Sequence, residues 1–451
     1  MVREIRTAEP APLLSGERQD SALARLLAHA RTPLFHNGYA LILSAGASSM
    51  LGIIYWALAA RFYPRTDVGL NSAAISAMLL FSGMAQLNLV GALIRYLPRA
   101  GRATRRVVTF AYAANVLLAL AIGLALIALQ SVWSPVPGLL HGNPTFLLWF
   151  ILATVVWGIF ALQDFVLTGL RQAVWVPIEN VVFAVLKIVL LIVLAGTVRE
   201  QGIFLSWTLP TVLAVIAVNV LIYGRLIPRH MRATEADATP IVPRDVISYV
   251  AGNYAGYLFF LASTTLLPLM VDHERGAAAT AYFYLAWVFA YSIQLIAQNM
   301  SASLTVEGSI DEQRLASYSY RVLIHLTRIV VPLVVVIVVA APLILDVFGS
   351  AYSANGTPVL RLLALAAIPN LVNVLYIAIA RVQRRTEAIV LVQGALCLLG
   401  LGLSYLLLRR SGIVGVGIGW LVSQTVIAAV LLLTQLRSLV LPARLGAARP
   451  G

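Results

Sequence analysis

The sequence predicts an all-α polytopic membrane protein with about twelve transmembrane helices. Three observations lead there. The 451 residues are 60% hydrophobic and 11% charged, where a soluble domain carries about a quarter charged residues. Apolar runs of about 20 residues, enough helix to cross about 30 Å of hydrocarbon, recur along the whole chain. The arginines gather in alternate connections between those runs. Spanning strands are excluded unless they close a barrel, because lipid leaves unpaired backbone groups unsatisfied.

Taken in order, residues 1–36 form a polar, Arg-bearing tail with no early apolar stretch ending in a small-residue cleavage site, so no removable signal peptide is expected. Within it, Leu23, Leu26, Leu27 and Ala30 fall on one face of a possible interfacial helix. The expected spans of the first half are 38–60, 70–94, 107–130, 146–169, 174–196 and 202–224. Those of the second half are 247–270, 278–300, 322–346, 359–380, 388–408 and 413–436. If the N-terminus is inside, one side holds Arg3 to Arg31, Arg95 to Arg106, Arg171, Arg225 to Arg244, Arg314 to Arg328, Arg381 to Arg385, and Arg437 to Arg449. That is 24 of the 31 arginines (32 basic residues less the single lysine, Lys187), against seven on the other side, so both termini are expected in the cytoplasm. The net charge of +14 is thereby topological, and no nucleic-acid partner is expected.

The polar connection RHMRATEADATPIVPRD (229–245) divides the chain into similar halves. The expected organisation is a tail (1–36), a six-helix bundle (37–227), a cytoplasmic linker (228–245), a second bundle (246–440) and a C-terminal tail (441–451). Punctuation repeats at a displacement of roughly 210 residues: a basic hinge precedes the fifth span at Arg171 and the eleventh at Arg381 to Arg385. Six spans return the chain to its starting side, so the halves share orientation and a cavity is expected between them.

Enzymatic readings find little support. There is no GxxxxGK[ST] and no HExxH, the six histidines are scattered, and Cys397 is the only cysteine. The connection SVWSPVPGLLHGNPT (131–145), where a polytopic transferase would place its chemistry, contains no Asp, Glu, Lys or Arg. No cofactor and no metal site is expected.

Of the eighteen acidic residues only Asp164 and Glu179 fall well inside proposed spans, at similar depth on consecutive helices, roughly 8 Å in at 1.5 Å per residue. Lys187 lies near mid-membrane, about 12 Å further along and rotated about 80° from Glu179, so the two are not expected to pair. These groups either line the cavity, with Lys187 binding an anionic headgroup and the carboxylates gating or exchanging an ion, or form an internal network that pins neighbouring helices. Arg321, His325 and Arg328 share one face of the ninth span; the stripe suits a phosphate but equally suits anchoring at the interface, and Arg95 carries the same ambiguity. Asn88, Asn253, Gln294, Gln298, Asn370 and Asn373 are uncharged polar positions inside apolar runs, as cavity lining or as interhelical hydrogen bonds worth about 1 kcal/mol each. Pro369 predicts a kink in the tenth span.

With these residues in hand, a resemblance emerges. The hairpin ALAARFYPRTDVGLNSAAISAMLLFSGMAQLNLVGALIRYLPR, including Gly69, and the external turn FGSAYSANG (348–356) resemble those of Wzx-type polysaccharide flippases, over about residues 37–440. These belong to the superfamily that also holds the lipid II flippases and the multidrug and toxin extruders. The resemblance implies two six-helix bundles forming a V-shaped cavity in the bacterial inner membrane. It also implies alternating-access export of a polyprenyl-pyrophosphate-linked oligosaccharide, with membrane lipids and other polysaccharide assembly proteins as partners. Members commonly use basic cavity residues for the headgroup, for which Lys187, Arg95, Arg321, His325 and Arg328 are the candidates here. The alternatives are a drug/cation antiporter of the same fold, in which acidic cavity residues should dominate; a membrane glycosyltransferase or ligase; and a non-transporting scaffold.

Overall fold

The computed structural model describes residues 50–129, 143–235, 243–310 and 315–436. The expected interfacial helix, the C-terminal tail, the beginning of the first span and most of the 131–145 connection lie outside them, as does part of the linker. Among the described residues the regular elements are helical. Eleven helices are long and apolar enough to cross a membrane, and Met50–Phe62 is the described part of the first span.

We number the helices α1 (Met50–Phe62), α2 (Arg65–Ala85), α3 (Leu89–Tyr96), α4 (Thr104–Leu129), α5 (Pro144–Gly169), α6 (Trp175–Ala195), α7 (Gly202–Leu221) and α8 (Ile227–Ala233) in the first half. The second half has α9 (Pro243–Arg275), α10 (Ala277–Ile310), α11 (Leu315–Asp346), α12 (Ser350–Leu365), α13 (Ala367–Val382), α14 (Thr386–Ser411) and α15 (Ile413–Thr434). α2 joins the halves, packing against α4, α5 and α7 on one side and α9 and α10 on the other. Its small residues make this possible. A Cβ on Gly69 would overlap the carbonyl of Ala277, so the two backbones meet there without a side chain between them. Its buried polar groups are satisfied locally: Ser72 and Ser76 donate to the carbonyls of Gly69 and Ser72, both at 2.8 Å. Asn71 donates to Asp67 O and Glu200 O at 2.7 Å and accepts from Phe204 N at 3.0 Å, fastening α2 to the start of α7.

Several spans depart from the expected simple rods. The second breaks at Leu87 and Asn88, which have φ of 50° and 55°, a conformation that costs a non-glycine residue roughly 1–2 kcal/mol. The tenth breaks at Ala366, between α12 and α13: Pro369 has no N–H for the carbonyl four residues back, and its ring crowds that carbonyl, so the kink forms just before the proline. The sixth passes through a π turn at Ile222–Leu226, just before Pro228, and continues to Ala233 instead of ending near 224. The expected turn at 348–356 is confined to its first residues. Gly349 has φ 123°, and α12 begins at Ser350, which makes Tyr352 a buried helical residue edge-on to Tyr282 at 5.3 Å.

The basic hinges have one geometry. Arg171 and Arg384, 213 positions apart, both adopt left-handed φ, 58° and 55°. After each, the next N–H reaches five residues back, Gln172 to Leu167 O at 2.8 Å and Arg385 to Ala380 O at 2.9 Å, so both helices close with a Schellman turn.

Candidate substrate cavity

A cavity of about 790 Å³ opens among α3, α9, α10, α13, α14 and α15. Its walls follow from helical spacing. On α9 the lining positions run Tyr249, Gly252/Asn253, Gly256/Tyr257, Phe260 and Ser263/Thr264, a stripe of period 3.6 about 22 Å long at 1.5 Å per residue. Gln294, Gln298 and Ser301 recur at the same spacing on α10. Gly252 and Gly256 let α9 approach α14, where a Cβ on Gly256 would stand 3.3 Å from Ile389 Cγ2.

The chemistry of the lining is one-sided. Among the described residues, Arg95, Arg381 and Arg384 line it and no Asp or Glu does. Arg95 lies over the rings of Tyr96 and Tyr249 at 5.5 and 5.2 Å, a cation–π contact across the junction of α3 and α9. Amides fill the interior: Asn88, Asn253, Gln294, Gln298, Asn370, Gln393 and Gln424. Gln294 Nε2 and Trp420 Nε1 are buried donors with no hydrogen-bond partner. Such donors are costly unless something else accepts from them.

At the arginine-poor end of the spans the halves meet. Besides the Gly69–Ala277 contact, Arg61 Nε donates to Val347 O at 3.2 Å and Arg65 Nη1 to Tyr282 Oη at 3.3 Å, and the Trp56 and Tyr284 rings lie 4.8 Å apart.

The sequence-derived candidates divide among three places. Asn88, Arg95, Asn253, Gln294, Gln298 and Asn370 line the cavity together. Asn373 stands behind it, fully buried, donating to Gln424 Oε1 at 2.7 Å and so orienting a lining amide. Lys187, Glu179 and Asp164 lie in the first half, away from it. Lys187 is 6% exposed, and its Nζ stands 3.9 Å from the Trp207 ring centre, 4.9 Å from Tyr55 and 5.0 Å from Phe183, a cage of rings on a buried amine. Glu179 is buried, and neither of its carboxylate oxygens has a hydrogen-bond partner. Asp164 is reached by Asn180 Nδ2 at 3.4 Å, which links α5 to α6. Arg321, His325 and Arg328 share a face of α11, as their spacing requires; that face is exposed, while Leu326 and Val330 point inward.

In the sequence Arg381 and Arg384 read as topology and as part of a basic hinge. Nothing singles out Gln393 or Gln424 beyond the signal the other amides carry, a polar side chain inside an apolar run.

No family model matches the chain, and none of the curated proteins does. Among solved structures it resembles the lipid II flippase MurJ in an inward closed conformation, with a TM-score of 0.68 and 14% identity over 87% of each chain. It also resembles an inward-facing multidrug resistance MATE transporter of the MOP superfamily, with TM-score 0.63 and 16% identity over 85% of this chain and 92% of that one. A third is a MOP superfamily transporter from Pyrococcus furiosus described as having a binding pocket of reverse polarity, with TM-score 0.59 and 13% identity over 87% and 92%. The chain is a polytopic all-α membrane protein with the fold shared by the MATE transporters and MurJ.

Proposed function

We propose that the protein is an alternating-access flippase that carries a polyprenyl-pyrophosphate-linked oligosaccharide across the bacterial inner membrane, with the arginine-rich side and both termini in the cytoplasm. One observation carries this reading: a cavity of about 790 Å³ with three arginines and no carboxylate among its described lining residues. A diphosphate needs cationic partners that offer several donors each, which guanidinium groups do. The amides suit sugar hydroxyls, and the lipid tail stays in the bilayer beside the cavity. The arginines lie toward the proposed cytoplasmic side, from which the substrate loads, and the halves pack together at the opposite end. Glu179, Asp164 and Lys187, packed in the first half, form the gating or ion-coupling part. Arg321, His325 and Arg328 anchor α11 at the interface.

A drug/cation antiporter draws support from Glu179 and Asp164, but both lie outside the cavity, whose cationic lining opposes a cationic cargo. The test is loss of the protein in its host cell. Lipid-linked oligosaccharide should accumulate on the cytoplasmic leaflet while sugar assembly continues. Loss of sugar transfer with purified components would instead make it an enzyme.

A further inference from the structure

A second concavity, of about 580 Å³, lies on the arginine-rich face of the first half, separate from the cavity described above. Three chain connections build it. The 3₁₀ turn Leu97–Arg99 supplies Arg99, the Schellman turn after α5 supplies Arg171 and Gln172, and α8 supplies Arg229, His230 and Thr234. Among the described residues, no carboxylate lines it. The acidic group nearest in sequence to its wall, Glu235, forms an ion pair with Arg102 and is not a lining residue.

The floor is rigid. Leu97, Leu170, Leu226 and Ile227 are buried in one apolar cluster, and a Cβ on Gly169 would stand 2.8 Å from Leu97 Cδ2. His230 is 6% exposed, and its Nε2 bonds to Leu97 O at 3.2 Å, holding α8 against the 3₁₀ turn. Arg171 is fixed in left-handed backbone, and α8 is entered through the π turn, a departure that often marks functional positions. Positive charge retained for topology needs only to be on the right side of the membrane; it does not need three elements to line one hollow. Three arginines at the wall of one hollow offer planar forks of donors that match phosphate oxygens.

We propose that Arg99, Arg171 and Arg229, above His230, form a phosphate-recognition site that is distinct from the transport cavity. It would take either the phosphate of a membrane lipid headgroup or a free phosphate from solution. Occupation would tie the α3–α4 corner, the α5–α6 corner and the end of α8 into one unit.

The test uses the purified full chain. Inorganic phosphate is titrated by calorimetry in neutral detergent, and in parallel the melting temperature is measured in vesicles of phosphatidylcholine with and without phosphatidic acid. Arg171→Gln and Arg229→Gln should each weaken binding by roughly tenfold or more, since each removes a charge-assisted hydrogen bond. Arg321→Gln, on the exposed face of α11, should bind as wild type does. Calorimetric binding that follows this pattern supports the site with free phosphate as its ligand. Stabilisation by phosphatidic acid alone, lost in the same two variants, supports it with a lipid headgroup. Three results would overturn it: no binding in either arm, equal loss in Arg321→Gln, or loss only in Arg381→Gln/Arg384→Gln. The last would assign the phosphate to the transport cavity and leave the flippase reading intact.

Discussion

The two halves share a framework and differ in what they enclose. At a displacement of 213 residues the Schellman turn at Arg171 meets the one at Arg384, and Trp207 on α7 meets Trp420 on α15. The same displacement carries Lys187 to Gly400. Lys187 stands over the Trp207 ring, and a Cβ on Gly400 would stand 3.2 Å from Trp420 Cζ3. In the first half an amine stands over the aromatic floor inside a cage of rings; in the second the Gly400 backbone lies close to the ring, and Trp420, itself 2% exposed, is one of the residues at the cavity wall. The buried ionisable groups Glu179 and Lys187 belong to the closed half, whereas the open half is lined with neutral amides and edged with arginine. The same scaffold thus supports two kinds of interior. Binding chemistry is placed where there is space, and groups able to change charge are placed where packing is tight.

The largest effect expected from this division is in the open half. Arg381→Gln with Arg384→Gln removes two of the three cations of the cavity, each able to make charge-assisted hydrogen bonds worth about 1.5–3 kcal/mol. On the proposed function, transport of the lipid-linked glycan should fall by about a hundredfold or more at normal protein level. Transport at the wild-type rate would mean that the cavity does not hold the pyrophosphate.

The second effect belongs to the closed half. Lys187→Met keeps the length of the side chain and suits a pocket of three rings, while removing a buried charge that has no carboxylate partner among the described ion pairs. The melting temperature should therefore stay the same or rise, while transport is lost. A fall in stability together with transport would show that Lys187 is only a packing element. Glu179→Gln should act in the same sense with a smaller effect: stability maintained, transport reduced and no longer responsive to an imposed ion gradient. An unchanged ion response in both Glu179→Gln and Asp164→Asn would remove the coupling role from the closed half.

Much of this contrast was legible in the sequence, and the parts that were not have physical reasons. Span positions follow from hydropathy because the bilayer fixes their length. Asn88, Asn253, Gln294, Gln298 and Asn370 stand out because an amide inside an apolar run must have something to bond. The break at Leu87–Asn88 was hidden because no glycine or proline marks it; Asn88 tolerates left-handed backbone, but an asparagine alone does not announce a break. Periodicity gave the face of α6 that carries Lys187 but not the neighbour that face meets, so the aromatic cage could not be read. Arg381 and Arg384 were hidden for another reason: an arginine at the end of a span satisfies the topology rule whether or not it also lines a cavity.

The smallest effect gives the sharpest comparison, because it asks one question of both halves. Arg171 and Arg384 occupy the same position of the same turn, with φ of 58° and 55°. A glycine there is free of the Cβ clash that costs other residues roughly 1–2 kcal/mol. Some of that gain is offset, since a cation beside a helix C-terminus contributes about 0.3–1 kcal/mol. Arg171→Gly and Arg384→Gly should therefore each raise stability by about 1 kcal/mol or less, and by similar amounts, as measured by denaturation in the same detergent. Their effects on function should differ. Arg384 lines the cavity and Arg171 does not, so Arg384→Gly should slow transport and Arg171→Gly should leave its rate unchanged. If both variants slow transport equally, the turn itself is the functional part and the halves act alike. If only Arg384→Gly does, the chain has kept one backbone device twice and given its side chain a different task in each half.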